Sequence, residues 1–185
     1  MRVLLHACCG PCSLYPIEVL REQGVDFALF YANPNIHPFK EWKERKKTFV
    51  AVAESAGVKY WVDKDYPLED FLREQLSQED RCEYCYVRRL TLAAEKAVAE
   101  GYDAFSTTLL VSPYQNHDLI RDIGQRLAEV YEIEFFYHDF RPGFTWAQDK
   151  AVADGLYRQK YCGCIFSERD RYKKKAKNKQ EAVVK

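Results

Sequence analysis

All seven cysteines of this 185-residue chain fall into three short clusters that lie far apart along the sequence. The clusters are Cys8-Cys9-Gly-Pro-Cys12, Cys82-Glu-Tyr-Cys85 and Cys162-Gly-Cys164. Thiolates are the ligands that structural zinc and iron–sulfur clusters prefer in proteins. If the fold brings the three clusters together, they form a thiolate-rich site that can hold iron, zinc or a cluster of metals.

The number of thiols helps to choose between these metals. A zinc ion is satisfied by four ligands, so seven thiols exceed what one zinc site needs. The surplus favours an iron–sulfur cluster with a second metal, or a cluster with a redox or catalytic thiol. Structural zinc remains an alternative. The spacing of Cys9 and Cys12 also fits a dithiol redox motif of the thioredoxin type, although a redox dithiol needs no further cysteine pairs.

The net charge of the chain does not favour binding to a polyanion, because 28 basic residues balance 28 acidic ones. Any nucleic-acid surface must therefore be a local patch. Two basic stretches occur, at residues 40–47 and 169–179, and glutamates interrupt the first as they do in many exposed helices. The second contains seven basic residues and one acidic residue, and is the better candidate for contacts with phosphates.

The amino-terminal sequence MRVLLHACCG contains an apolar run of about five residues, whereas the hydrophobic region of a signal peptide needs roughly seven to fifteen. No apolar stretch approaches the ~18 residues of a membrane span. We therefore predict a soluble, cytoplasmic protein without membrane association. Thiols are kept reduced in the cytoplasm, so the clustered cysteines indicate metal or redox chemistry more than structural disulfides.

Strand-like and helix-like segments alternate along the chain. Predicted strands cover residues 3–6, 25–32, 58–62, 102–107 and 133–137. Predicted helices cover 13–23 with Ser13 as the cap, then 38–56, 67–78, 82–101 and 113–130, with a further one after 143. This alternation predicts an α/β fold with a parallel sheet sandwiched by helices. Ligands bind at the carboxyl ends of such strands, where the first cysteine cluster lies.

The chain is long enough for one domain with a well-buried core and short for two domains. We predict one α/β domain over residues 1–168 that carries the metal site. A basic tail follows over residues 169–185.

Six motifs, taken in order, resemble the QueH family of epoxyqueuosine reductases. They are CCGPCS, NPNIHP, the RCxxC of Arg81 to Cys85, SPYQNHD, RPGF and GLYRQKYCGC. Each motif alone is weakly specific, but six in the right order are highly specific. They extend from residue 8 to residue 164, so the resemblance covers nearly the whole chain.

The resemblance implies an oxidoreductase that reduces epoxyqueuosine to queuosine at the wobble position of certain tRNAs, the last step of queuosine biosynthesis. It implies a [4Fe-4S] cluster with an adjacent mononuclear iron, held by cysteines and a carboxylate. It also implies a fold similar to the adenine nucleotide alpha-hydrolase-like group. The partners would be a tRNA with a queuosine-type anticodon and an electron donor that the sequence does not identify. Nothing suggests a corrin-binding module, so we expect a cobalamin-independent reaction.

The resemblance can be carried to individual residues. The predicted ligands of the cluster and the adjacent iron are Cys8, Cys9, Cys82, Cys85, Cys162 and Cys164, and the sequence does not divide them between the two. Cys12 is a further metal ligand, as is the carboxylate Asp118, with Asp80 as its substitute. Asp118 and His117 are the predicted catalytic residues, and His37 is a second candidate for substrate contact or proton donation. Asp118 also fits an ordinary aspartate in the first turn of a helix.

An anticodon base must be splayed out to reach a buried metal site, and aromatic or arginine side chains can hold it by stacking. The candidates along the chain are Tyr114, Phe144, Trp146, Tyr157 and Arg158. A place in the core is the competing interpretation for most of them.

Three other functions compete with the reductase. One is a zinc-stabilised nucleic-acid-binding module without catalysis, and another is a thiol–disulfide oxidoreductase. A tRNA sulfur-transferase of the related nucleotide-binding fold is the third. It needs a glycine- and serine-rich phosphate loop after the first strand, and the single glycine of CCGPCS argues against ATP binding.

Overall fold

The computed structural model describes residues 1–173 of the chain. Five parallel strands form one sheet in the order β3-β2-β1-β4-β5. The strands are β1 (Arg2–His6), β2 (Asp26–Tyr31), β3 (Tyr60–Val62), β4 (Ala104–Thr107) and β5 (Glu134–Phe135). The helices are α1 (Gly10–Glu22), α2 (Phe39–Ser55), α3 (Leu68–Leu76), α4 (Arg81–Ala99), α5 (His117–Tyr131) and α6 (Phe144–Ala153).

Helices cover both faces of the sheet, and β1 shows why. Leu4 and Leu5 are both fully buried, and successive side chains of a strand point to opposite faces. Leu4 belongs to the apolar cluster that includes Leu90 of α4 and Ile120 of α5. Leu5 belongs to the cluster that includes Ile17 of α1 and residues of α2 and α6. A strand buried on both faces reads as a continuous apolar run, as it does here.

The predicted α/β fold with a parallel sheet is confirmed, and all five strands occur where the sequence predicts them. The two edge strands are shorter than predicted: β3 covers only Tyr60–Val62 and β5 only Glu134–Phe135. Each edge strand has a hydrogen-bonding neighbour on one side alone, so fewer of its residues are held in the ladder.

The predicted start of the first helix is wrong. Helix α1 begins at Gly10 instead of after Ser13, and Cys9 is the N-cap, with its Sγ accepting the amide N–H of Cys12 at 3.4 Å. Pro11 fits the first turn, because the amide that proline lacks has no helical partner there. Ser13 instead donates its hydroxyl to the carbonyl of Cys9 at 2.9 Å.

Residues 165–173 are helical and cross the predicted boundary between domain and tail at residue 168. Most of the predicted basic tail, residues 174–185, lies outside the described residues. Within residues 1–173, no helix is long and apolar enough to cross a membrane.

Candidate metal centre

The first cysteine cluster lies where the chain leaves neighbouring strands toward opposite faces of the sheet. Strands β1 and β4 pair side by side, with His6 opposite Thr107 at their carboxyl ends. Helix α1, after β1, packs on one face, and α5, after β4, packs on the other. Such a divergence opens a crevice that α/β proteins use for ligands. A hydrogen bond connects the two sides of this crevice: the amide of Cys8, after β1, donates to Thr108 Oγ1, after β4, at 2.9 Å.

Three sulfur atoms converge at the start of α1. The ligand atoms of Cys8, Cys9 and Cys12 all lie within 4.8 Å of one another. The Sγ atoms of Cys8 and Cys9 are 3.8 Å apart, and Thr108 Oγ1 lies 3.2 Å from the Sγ of Cys8. A helix start also supplies unpaired amides and the positive end of the dipole. The chain therefore brings three thiols together at the start of α1.

The three thiols differ in acidity. Hydrogen bonds from Cys12 and Cys9, together with the charge of Arg89 and the hydroxyl of Thr108, hold the pKa of Cys8 well below its usual value. Burial raises the pKa of Cys9 to about 12. The pKa of Cys12 is raised by its hydrogen bond to Cys8. Cys8 is therefore the most acidic thiol of the group.

The second cysteine cluster opens α4. Asp80 caps this helix, accepting the amides of Cys82 at 2.7 Å and Glu83 at 3.1 Å. Burial raises the pKa of Cys85 to about 12, and burial and the neighbouring Cys162 raise that of Cys82. Thiols of the second and third clusters therefore lie close enough to influence one another's ionisation.

A buried glutamine connects the third cluster to α4. The Nε2 atom of Gln75 donates to the carbonyl of Arg81 at 3.3 Å and lies 4.0 Å from the Sγ of Cys164. Between the two cysteines of this cluster, Gly163 has a φ of 127°, a conformation that other residues rarely adopt. The turn therefore brings Cys162 and Cys164 back toward the start of α4.

Arg89 lies between the clusters. Its side chain is 2% exposed, and its Nη2 donates to Asn33 Oδ1 at 2.7 Å, while Nε has no hydrogen-bond partner. Within residues 1–173, no carboxylate pairs with it. Burial opposes its charge, but the thiols of Cys85, Cys8 and Cys162 raise its pKa. The groups that favour the charge of this cation are therefore cysteine thiols.

A second buried guanidinium, that of Arg45, holds the third cluster against α2. Its Nη1 and Nη2 donate to the carbonyls of Cys162 at 3.0 Å and Tyr161 at 2.9 Å. Its Nε pairs with Glu41 at 2.7 Å, and Tyr157 donates its hydroxyl to the same carboxylate. The loop is fixed from a second direction, because the amide of His37 donates to the carbonyl of Gly163 at 2.8 Å.

A cavity of about 540 Å³ opens beside the cysteines. Three of its lining residues are the cysteines Cys8, Cys12 and Cys162. Among residues 1–173, the charged side chains that line it are all basic, namely Arg89, Arg158, Lys160 and Arg171. Its aromatic lining residues are Tyr114, Phe144 and Tyr161. The cavity therefore joins members of two cysteine clusters to a positively charged entrance.

The structure places the two predicted catalytic residues away from this cavity lining. His117 is buried, with Nε2 2.9 Å from the carbonyl of Leu110. Asp118 has a side chain that is 82% exposed and pairs with Arg121 at 3.3 Å. Their roles in metal binding and catalysis stay predictions, as does that of His37, which is buried against the rings of Tyr66 and Phe71.

The predicted stacking residues separate into two groups. Tyr114, Phe144 and Arg158 line the cavity. Trp146 lines a different depression, and Tyr157 is bound to Glu41.

Three residues of the site were not predicted from the sequence: Arg45, Arg89 and Thr108. Arg89 carries a usable signal, because it follows Cys85 by four residues and so lies on the same helix face.

Comparison with known proteins identifies relatives along almost the whole chain. A family model described as epoxyqueuosine reductase QueH matches residues 3–170. A protein of the same description from Dehalococcoides mccartyi is 32% identical over 174 residues, which are 94% of this chain and 96% of that protein. Another, from Thermotoga maritima, is 35% identical over 187 residues, with 94% of both chains covered.

The fold also has a relative among solved structures. A predicted subunit of tRNA methyltransferase from Methanocaldococcus jannaschii superposes with a TM-score of 0.54 at 18% identity, over 82% of this chain and 74% of that chain. Identity this low shows the fold alone. The similarity confirms the predicted α/β fold with a parallel sheet sandwiched by helices.

Proposed function

The chain belongs to the QueH family of epoxyqueuosine reductases, oxidoreductases of queuosine biosynthesis, and we propose that it reduces epoxyqueuosine in tRNA without cobalamin. The conversion of an epoxide to an alkene takes up two electrons and two protons and releases the oxygen as water. One observation carries the proposal for this chain: a cavity at the carboxyl ends of the strands is lined by Cys8, Cys12 and Cys162. The cytoplasmic location stays a prediction.

We further propose that the cysteines hold a [4Fe-4S] cluster and an adjacent mononuclear iron. The donor set supports this fit, because three thiols lie within 4.8 Å of one another and the thiols of the other clusters influence one another's ionisation. The orphaned Nε of the buried Arg89 supports it as well, since this cation needs a lasting negative charge beside it. When bound, these groups supply single electrons and a Lewis-acidic iron that polarises the epoxide carbon–oxygen bond.

The proposed ligands follow the three clusters. Together, the cluster and the adjacent iron would be held by Cys8, Cys9, Cys82, Cys85, Cys162 and Cys164. Cys12 would join this set as a further metal ligand. Asp118 stays the predicted carboxylate ligand, and its ion pair with Arg121 would have to open for it to reach a metal.

The remaining residues of the cavity bind and orient the substrate. Hydroxyl and amide side chains line it and can bond to the hydroxyl groups of a nucleoside: Ser112, Gln115, Gln148 and Gln159. No imidazole or carboxyl group occurs among the lining residues of the described chain. Because every lining thiol is a proposed metal ligand, protons for the departing oxygen would come from the phenol of Tyr161 or from water that enters through the open mouth.

The decisive test uses the anaerobically purified chain. It is supplied with a tRNA that contains epoxyqueuosine and with dithionite, and the nucleosides are then identified by mass spectrometry. We expect queuosine to accumulate, together with about four sulfides and more than four irons per chain, as a cluster beside an extra iron requires. Zinc without sulfide, even after reconstitution with iron and sulfide, and no queuosine would overturn the proposal in favour of a zinc-stabilised binding module.

Substitutions in separate clusters test whether all three act together. We expect Cys8→Ser, Cys82→Ser and Cys162→Ser each to abolish conversion and to lower the iron content. Full activity after loss of Cys82 and Cys162 would instead support a thiol–disulfide oxidoreductase that uses only Cys9 and Cys12.

A further inference from the structure

The mouth of the cavity carries an unbalanced positive charge. The chain as a whole has equal numbers of acidic and basic residues, yet the part of the cavity lining that residues 1–173 supply contains four cations and no carboxylate. Arg89 lies deep, whereas Arg158, Lys160 and Arg171 are exposed. Within residues 1–173, none of these three exposed cations forms an ion pair with a carboxylate. Their charges therefore remain available to an anionic ligand.

An exposed aromatic ring lies at the same mouth. Tyr114 is 84% exposed, an unusual state for so large a ring, and Phe144 contacts it edge-to-face with the centroids 5.9 Å apart. Phe144 itself is partly buried against the core, so it gives the ring a fixed support. An exposed aromatic ring that is held in place from behind can serve as a platform on which a nucleic-acid base stacks.

Three separate segments build this mouth. Tyr114 precedes α5, Arg158 and Lys160 follow α6, and Arg171 lies on the helical run of residues 165–173. Arg158 is held toward the cavity by Gln148, whose Oε1 accepts from its Nε at 3.1 Å. Cations along a groove together with a stacking ring are typical of surfaces that bind single-stranded nucleic acids.

We propose that Tyr114, Arg158, Lys160 and Arg171 form a docking surface for the single-stranded RNA on either side of the substrate nucleoside. The tyrosine stacks on a neighbouring base, and the three cations contact backbone phosphates. The cavity, at about 540 Å³, has the size of a small-molecule site and receives only the splayed-out nucleoside. The inference rests on the proposed function for the identity of this RNA as a tRNA anticodon loop.

The surface distinguishes between the two basic stretches of the sequence. Arg171 belongs to the second stretch and lines the cavity. Lys40, Lys43 and Lys47 of the first stretch are exposed on α2 and do not line it. We therefore expect the first stretch to contribute little to RNA binding, which makes it a matched control.

The first experiment measures the dissociation constant of full-length, metal-loaded protein for epoxyqueuosine tRNA at several salt concentrations. The test variant combines Arg158→Gln, Lys160→Gln and Arg171→Gln. The control combines Lys40→Gln, Lys43→Gln and Lys47→Gln, which removes the same charge. We expect the test variant to bind at least about tenfold more weakly and to lose about two units of the slope of log K against log salt, because each phosphate contact contributes about 0.7.

The second experiment isolates the ring. We expect Tyr114→Ala to weaken tRNA binding about fivefold or more, the range typical of one lost base–aromatic stack. Tyr114→Phe keeps the ring and should bind like the wild type. The same pattern should appear in the KM for the tRNA, with kcat nearly unchanged.

The outcomes separate this inference from the proposed function. Equal losses in the test and control variants, or wild-type affinity and slope in the test variant, would overturn the docking surface, even if the wild type makes queuosine. If the wild type makes no queuosine but the test variant alone loses RNA affinity and slope, the docking surface stands and the reductase proposal fails. A wild type that binds no RNA overturns both.

Discussion

Removal of the guanidinium of Arg45 tests how the third cysteine cluster is held in place. Arg45→Met keeps a similar volume without the charge or the donors. It removes the ion pair with Glu41 at 2.7 Å and the two bonds to the carbonyls of Cys162 and Tyr161, at 3.0 and 2.9 Å. We expect a large loss of stability, because all of these groups are buried or partly buried.

The magnitude follows from what the substitution leaves behind. The side chain of Glu41 is only 10% exposed, and loss of one partner of a buried ion pair costs about 3–5 kcal/mol. Tyr157 still donates its hydroxyl to Glu41, so the carboxylate keeps one partner. The two carbonyls can turn partly toward water. We therefore take the lower end of the range, about 3 kcal/mol of the free energy of unfolding.

Urea unfolding of the wild type and the variant, analysed for midpoint and slope, measures this loss. Arg73→Met is the matched control, because Arg73 and its partner Asp70 have side chains that are 77% and 73% exposed. It should change stability by less than about 0.5 kcal/mol. In the double variant Arg45→Met/Glu41→Leu no carboxylate is left unpaired, so part of the loss should be recovered.

A loss below about 1 kcal/mol for Arg45→Met, with an unchanged slope, would refute this reasoning. It would mean that the carbonyls and Glu41 find other partners or reach water. An equal loss in the single and double variants would show that packing of the side chain, and not its charge, holds the loop.

Three further predictions follow from the same structure. Burial lowers the pKa of His37 from 6.5 to about 4. As the pH falls below 6.5, the imidazole therefore takes up a proton in the unfolded protein but not in the folded one, which favours unfolding. Stability is therefore full above pH 6.5, and urea titrations should show that wild type loses about 2 kcal/mol more than His37→Phe between pH 7 and 5. Asp80→Ala should cost about 1 kcal/mol through loss of the helix cap, while Asp80→Asn should keep both stability and iron content. Loss of iron in Asp80→Asn alone would indicate a ligand instead of a cap. Gly163→Ala should lower iron content and stability more than Gly24→Ala. Both glycines have a positive φ, but a Cβ at Gly163 would lie 3.0 Å from Ile36, whereas a Cβ at Gly24 would meet open space.

The central part of the fold was predictable because its signals are local. Strands β1, β2 and β4 are apolar runs bounded by turn residues, and both faces of the sheet are covered. The start of α1 was predicted wrongly for a physical reason. Serine is a preferred cap, but the sulfur of Cys9 accepts the amide that the cap must satisfy, and this extends the helix to Gly10.

The cysteine clusters were predictable as residues but not as a geometry. Their types and spacing indicate metal chemistry, whereas the partners that position them come from distant segments. Arg45 lies 117 residues before Cys162, whose carbonyl it binds, and arginines on helices are exposed in most proteins. Thr108 lies 100 residues from Cys8. Only the folded topology connects such residues.

The two buried arginines also bear on the choice between a metal centre and a dithiol. The charge of Arg45 is balanced by Glu41, but within residues 1–173 no carboxylate pairs with Arg89, which depends on thiolates for its counter-charge. A disulfide between Cys9 and Cys12 would leave Cys85 as a free thiol, and burial raises the pKa of that thiol to about 12. A thiolate bound to a metal instead stays ionised. We therefore expect a metal bound by Cys8, Cys85 and Cys162 to compensate Arg89 better than a dithiol confined to the first cluster would.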